Sequence, residues 1–152
     1  MLERFQGREG RAALLNALRS QFLVDGNSDV ADRIASAAQL MEYAPGARIF
    51  AQGERGTEVF FILAGQVSVR VGEGEVATCS AGTHVGEISL LEPFKGRSAT
   101  VDAIDTVVVA QMSGQKFTEI ATYRPDLWRR VGIELARRLV KLEARIYQHA
   151  PV

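Results

Sequence analysis

The chain has 152 residues, enough for one domain and too few for two large cores. Hydrophobic residues make up 47% and charged residues 24%, which excludes a disordered tail, and no apolar run reaches the length of a membrane span. Eighteen lysines and arginines balance eighteen aspartates and glutamates, so the chain lacks the basic footprint of a dedicated nucleic-acid binder, although one well-placed cation still suffices for a small anion.

Residues 11–23 read as a helix, with Leu14, Leu15, Leu18 and Phe22 at helical spacing. Asp25-Gly26-Asn27 breaks it. Asn27, Ser28 or Asp29 can cap a second helix running to about Leu40, with Val30, Ile34 and Ala38 along one face. From residue 47 to 112 the chain turns rich in valine, isoleucine, phenylalanine and threonine, with frequent glycines, the pattern of a small sandwich or barrel. Strands are predicted at 47–52, 58–63, 66–71, 75–79, 98–103 and 106–112. In the third, Val67, Val69 and Val71 alternate with Gln66, Ser68 and Arg70, so one face is dry and one wet. Ser113 can cap a short helix through Phe117 and Ile120. A long helix begins near Pro125 and runs to about Tyr147. Leu127, Val131, Leu135, Leu139, Leu142 and Ile146 form its apolar stripe. That stripe is longer than one small barrel can cover, which points to a second copy packed two-fold against it. The helix's basic cluster, Arg129, Arg130, Arg137, Arg138 and Lys141, reads as a solvated face interrupted by Glu134 and Glu143.

Cys79 is the one cysteine, so no internal disulfide forms and a reducing, cytoplasmic setting is expected. It reads as a small buried apolar residue. With only His84 and His149 beside it, neither a zinc site nor a nucleophilic dyad is expected. Met1–Gln6 has no apolar signal core. The chain stops soon after a strong helical pattern, as a natural end or as the cut edge of a longer protein.

The chemistry concentrates in Gly86-Glu87-Ile88-Ser89-Leu90-Leu91 and Arg97-Ser98-Ala99-Thr100-Val101. Gly86 lets backbone approach a ligand closely, and a helix start after it exposes unpaired N–H groups that attract phosphate. Glu87 can only accept hydrogen bonds when ionised, so it suits a sugar hydroxyl. Arg97 is a fixed fork of donors matched to phosphate, and Ser98 can add a hydroxyl or an N–H. One carboxylate, one arginine and a helix start describe a site for a compact sugar phosphate. The competing reading is a plain Glu87–Arg97 ion pair. His84 adjoins this segment, as a structural loop histidine or as a ligand contact.

The order G-E-I-S-L-L, a short insert, then R-S-A-T-V resembles the phosphate-binding cassette of cyclic-nucleotide-binding domains. Pro45-Gly46 through Gln52-Gly53-Glu54, and Phe60-Phe61-Ile62-Leu63 with Gly65 and Val67, resemble the family's first strands. The likeness spans about residues 40–145. It implies an α+β fold: a small antiparallel β-barrel of the double-stranded β-helix or jelly-roll kind, of about eight strands, flanked by N-terminal helices and a long C-terminal helix. One domain, 1–152, would then comprise helices in 1–44, the barrel in 45–112 with its cassette at 84–100, and helices in 113–149. The resemblance implies a 3',5'-cyclic nucleotide as ligand, with no cofactor, metal or catalysis. Glu87 would take the ribose 2'-hydroxyl, and Arg97 with Ser98 the cyclic phosphate. The backbone of Gly86, Ile88 and Ser89 would line the cradle. Val69, Val76, Val85 and Thr100 match positions that wall base and sugar, with Ala99 and His84 beside them.

Gly96 stands where many members have proline, and the insert Glu92–Gly96 is longer than in the kinase type, closer to the bacterial catabolite-activator type. No DNA-reading helix-turn-helix follows, and the last helix has no threonine-serine pair to reach an adenine, which counts against cyclic AMP. A narrower resemblance rests on His84-Val85-Gly86-Glu87, strand 106–110, and Pro125-Asp126-Leu127-Trp128-Arg129 before Glu134-Leu135-Ala136-Arg137-Arg138-Leu139. These look like the sensor module of bacterial anti-phage effectors of the Pycsar system. There the module precedes a TIR domain that degrades NAD, and the signal is cyclic UMP or cyclic CMP. The chain would then be the sensor half, lacking its effector. Three other readings stand beside it: a cAMP- or cGMP-binding module of the catabolite-activator type, a ligand-free docking or dimerisation module, and a cupin-like enzyme, which two distant histidines hardly support.

Overall fold

The helical ends are set by local chemistry. In a computed structural model that describes residues 1–92 and 95–149, the Asn27 side chain accepts the N–H of Val30 at 3.0 Å and starts α2 (Ser28–Ala37). Pro93 and Phe94, the middle of the long insert, lie outside the described residues, as do 150–152 and the side chain of His149. Before α2, a 3-10 turn at Leu2–Phe5 leads into α1 (Gly7–Arg19), which starts and ends about four residues earlier than its apolar spacing suggests. Leu23 and Val24 are buried in the following turn, so they extend the apolar pattern without extending the helix.

The second helix stops at Ala37, short of Leu40, and residues 39–43 form a strand, β1 (Gln39–Tyr43), inside the stretch expected to be only helical. Gln, Leu, Met and Glu are good helix formers, but all five residues pair antiparallel with β8 (Val107–Met112), and tertiary pairing overrides propensity. The other strands are β2 (Arg48–Phe50), β3 (Val59–Ala64), β4 (Gln66–Val71), β5 (Gly74–Ser80), β6 (His84–Val85) and β7 (Thr100–Ala103). The eight strands form two antiparallel sheets, ordered β1-β8-β3-β6 and β2-β7-β4-β5. The expected barrel is thus an open sandwich among the described residues.

Two cores share the first sheet. Phe50, Phe60, Ile62, Val67, Val101 and Val109 fill the space between the sheets. Phe61, Leu63, Val108, Ala110 and Met112 pack outward against Leu18, Ile34, Phe117 and Leu127 of the helices. Both faces of β3 are therefore covered, and its sequence Val-Phe-Phe-Ile-Leu-Ala is apolar without alternation. In β4 the expected alternation holds at Val67, weakens at Val69 and is lost at exposed Val71.

Ser113 caps α4 (Gly114–Tyr123), accepting the N–H of Lys116 at 3.2 Å. The last helix, α5 (Asp126–His149), buries Leu127 and Val131 and half-buries Leu135. Beyond that its stripe is open: Leu139 is 56%, Leu142 39% and Ile146 67% exposed. Among the described residues no helix is long and apolar enough to cross a membrane.

Candidate ligand-binding site

Strand β6 delivers the cassette. His84 and Val85 pair with Phe61 and Phe60 of β3, placing His84 in a fully buried strand where a loop was expected. The chain then turns at Gly86, with φ of +95°. A Cβ there would stand 2.6 Å from the Glu58 carbonyl oxygen and 2.9 Å from Arg97 Nη1, so glycine is required by conformation and by space. Glu87 and the single turn of α3 (Ile88–Leu91) follow.

Arg97 returns to the same spot. Its own N–H donates to the Glu54 carbonyl and its carbonyl accepts the Gly53 N–H, each at 2.8 Å, which fixes it beside β2. The side chain is 3% exposed. Nη1 donates to the carbonyls of Glu58 at 3.0 Å and Gly86 at 3.2 Å, and Nη2 donates to Glu58 Oε2 at 3.0 Å. The guanidinium lies 4.3 Å from the ring centre of Phe50 and 5.7 Å from that of Phe60. Buried charge tolerates this setting because carbonyls, a carboxylate and aromatic faces surround it.

Glu87 does not pair with Arg97. It is 1% exposed, and its Oε1 accepts from Arg138 Nη1 of α5 at 2.5 Å. Arg138 Nη2 also donates to the His84 carbonyl at 3.1 Å and to Glu134 Oε1 at 3.2 Å. The His84 ring sits between two carboxylates, Nε2 3.6 Å from Glu87 Oε2 and Nδ1 3.5 Å from Glu134 Oε2, and neither nitrogen has a hydrogen-bond partner among the described residues. Burial holds His84 down at about 4, against the pull of Glu134, so the ring is neutral at neutral pH. Burial pushes the Glu87 carboxyl up, and Arg138 works against that rise.

Two sequence expectations need correcting here. Arg97 is not the lone cation near the cassette, and the basic face of α5 is not wholly solvated, because Arg138 reaches Glu87. Its signal in the sequence was Glu134, four residues earlier on the same helix, a pairing that also fits an exposed face. Glu58, Phe50 and Phe60 were also not anticipated as partners of Arg97. β2 and β3 carry Phe50 and Phe60 there, Glu58 directly precedes β3, and no local motif marks them.

The remaining expected residues divide by position. Ser89 is buried, Ile88 half-buried and Ser98 exposed. Val85 and Val69 belong to the core between the sheets, and Ala99 is buried. Thr100 is half-buried, with Oγ1 accepting the Gln52 N–H at 2.9 Å. Val76 falls at the register break of β5, and its carbonyl accepts from Arg145 of α5 at 3.0 Å. The Cys79 thiol is pushed up by burial, which keeps it an inert core group. A guanidinium and a carboxylate held in apolar surroundings can recognise an anion and a hydroxyl together.

Residues 40–123 match the family model described as "Cyclic nucleotide-binding domain". The chain is 40% identical over 93% of its length to a Pycsar effector protein of Xanthomonas perforans, XpPycTIR, covering 46% of it. It is 41% identical over 91% of its length to PaPycTIR of Pseudomonas aeruginosa, covering 45%. The chain thus spans about half the length of these curated relatives. The Thermus thermophilus catabolite activator protein superposes with a TM-score of 0.73 at 25% identity, over 84% of this chain and 62% of that one. PKAR CBD2 bound to Sp-2Cl-cAMPS superposes equally, at 0.73 and 22% identity over 88% and 91%, a likeness of fold. On this ground the chain belongs to the family of cyclic-nucleotide-binding domains.

Proposed function

We propose that this chain binds a 3',5'-cyclic pyrimidine nucleotide, cyclic UMP or cyclic CMP, and serves as the regulatory sensor of a bacterial anti-phage effector in the cytoplasm. The observation that carries binding is Arg97, buried beside the cassette with its fork held by two carbonyls and the Glu58 carboxylate, against two aromatic rings. Arg97 and Ser98 take the cyclic phosphate, and the backbone of Gly86, Ile88 and Ser89 completes the cradle. Glu87 takes the ribose 2'-hydroxyl. Val69, Val76, Val85, Ala99 and Thr100 wall the sugar and base, with His84 behind Glu87 and α5 as the lid. Likeness to Pycsar effectors supports the pyrimidine and the role, and so does the absence of serine and threonine from α5. A TIR domain elsewhere in the protein supplies the enzymatic output, and a second copy packs on the open stripe of α5.

Calorimetric titration with cyclic AMP, GMP, UMP and CMP tests this. The expected result is pyrimidine binding, lost in Arg97→Ala at a cost of about 2–5 kcal/mol, because a buried charged partner of phosphate is removed. Arg97→Lys keeps the charge but not the fork and should fall between. Near wild-type affinity in Arg97→Ala would remove Arg97 from the site. The likeness to the catabolite activator protein favours a second reading, a purine-binding module, which purine selectivity would establish. Silence from all four nucleotides would leave a docking module.

A further inference from the structure

The outer half of α5 has little apolar reason to lie on the sandwich. Leu139, Leu142 and Ile146 face outward, and the polar anchors of this half are Arg138 and Arg145. Arg138 is the deeper one. Its two nitrogens reach Glu87, the His84 carbonyl and Glu134, so one guanidinium joins α5 to the cassette carboxylate. The site is also short of positive charge. Glu58, Glu87 and Glu134 lie within it, His84 is neutral, and Arg97 already faces Glu58. An incoming cyclic phosphate adds one more negative charge. Arg138 is what offsets this around Glu87.

We propose that Arg138 is a positioning residue of the ligand site, holding the Glu87 carboxylate for the sugar hydroxyl and thereby tying the docking of the outer half of α5 to ligand occupancy. This rests on the binding reading above. A carboxylate has several acceptor positions, so Glu87 can keep Arg138 on Oε1 and still accept a hydroxyl. Ligand and docked helix then stabilise each other, since each favours the same arrangement of Glu87.

The pH behaviour follows from what faces Glu87: His84 of β6, Cys79 of β5, Arg97 before β7, and Arg138 with Glu134 of α5. Burial raises the Glu87 carboxyl, and Arg138 is the strongest influence against it. Without that guanidinium the carboxylate forms only at higher pH, so the rise of affinity with pH should lie at higher pH in the variant than in wild type.

The experiment compares wild type, Arg138→Gln and Arg138→Lys. Each is titrated with whichever of the four 3',5'-cyclic nucleotides binds wild type most tightly, and with its 2'-deoxy counterpart, at several pH values. Amide hydrogen exchange of residues 138–148 is followed without ligand. Wild type should prefer the ribo form about tenfold or more, the worth of a charged hydrogen bond. Arg138→Gln should bind the ribo form about tenfold more weakly, with that preference collapsing toward parity, and its α5 amides should exchange about tenfold faster. Arg138→Lys should recover part of each. Equal losses for ribo and 2'-deoxy ligands, a pH profile unshifted from wild type, or unchanged exchange in α5 would overturn the proposal. If no nucleotide binds wild type, the binding reading fails, and the ligand-free exchange alone decides whether Arg138 anchors α5.

Discussion

His84 shows how a single side chain records its surroundings. The ring is fully buried and neutral, with a folded value of about 4 against an ordinary 6.5. Between those two values the unfolded chain takes a proton that the folded chain refuses. Stability is therefore whole above pH 6.5 and falls as pH drops toward 4, by on the order of 3 kcal/mol for this group. The raised Glu87 carboxyl has the opposite sign and returns part of that loss on acidification. Urea unfolding at pH 7 and pH 4.5 should show wild type losing stability more steeply than His84→Gln. The slope matters here and not the starting stability, since any substitution at a buried ring costs something. Identical slopes would mean that His84 charges freely in the fold. The same residue scale explains what was legible around it. Gly86, Glu87 and Arg97 are readable as a candidate site because their chemistry is intrinsic. The burial that tunes them is not intrinsic, because it comes from β3 and α5.

Helices were readable where side chains close their own ends. Ser113 caps the helix that follows, as its sequence position predicts, and Asn27, one of three candidates with Ser28 and Asp29, caps α2. Ser113→Ala should destabilise the fold by about 1 kcal/mol, measured as a lower urea midpoint with unchanged slope, because the Lys116 N–H loses its acceptor. Strands were readable as apolar runs but not in number. Two were absent from the sequence reading: β1, whose residues favour helix, and β6, which has only two residues. Each exists because a partner strand, β8 or β3, supplies its hydrogen bonds. The apolar stripe of α5 was read correctly as a stripe. That its second half stays open depends on where the sheets end.

At the scale of the molecule, a single copy leaves the stripe of α5 open. Leu139, Leu142 and Ile146 together on one helix are the surface expected to meet a second chain. Sedimentation should show wild type at twice the chain mass, and Leu139→Glu with Ile146→Glu at the single mass with an unchanged thermal midpoint. A wild-type monomer would remove the pairing. The sequence alone marked the candidate helix caps, the inward Val67, the glycine before the cassette and the two charged residues of the candidate site, because conformational preference and hydrogen-bonding capacity belong to each residue. The tertiary structure decided the split into two sheets, the strand within the expected helical stretch, the burial of His84, and the partners of the site charges, Glu58 for Arg97 and Arg138 for Glu87. Those pairs join residues 39 and 51 positions apart. Their meeting is fixed by how strands and helices pack, and no local pattern in the chain encodes such a distance.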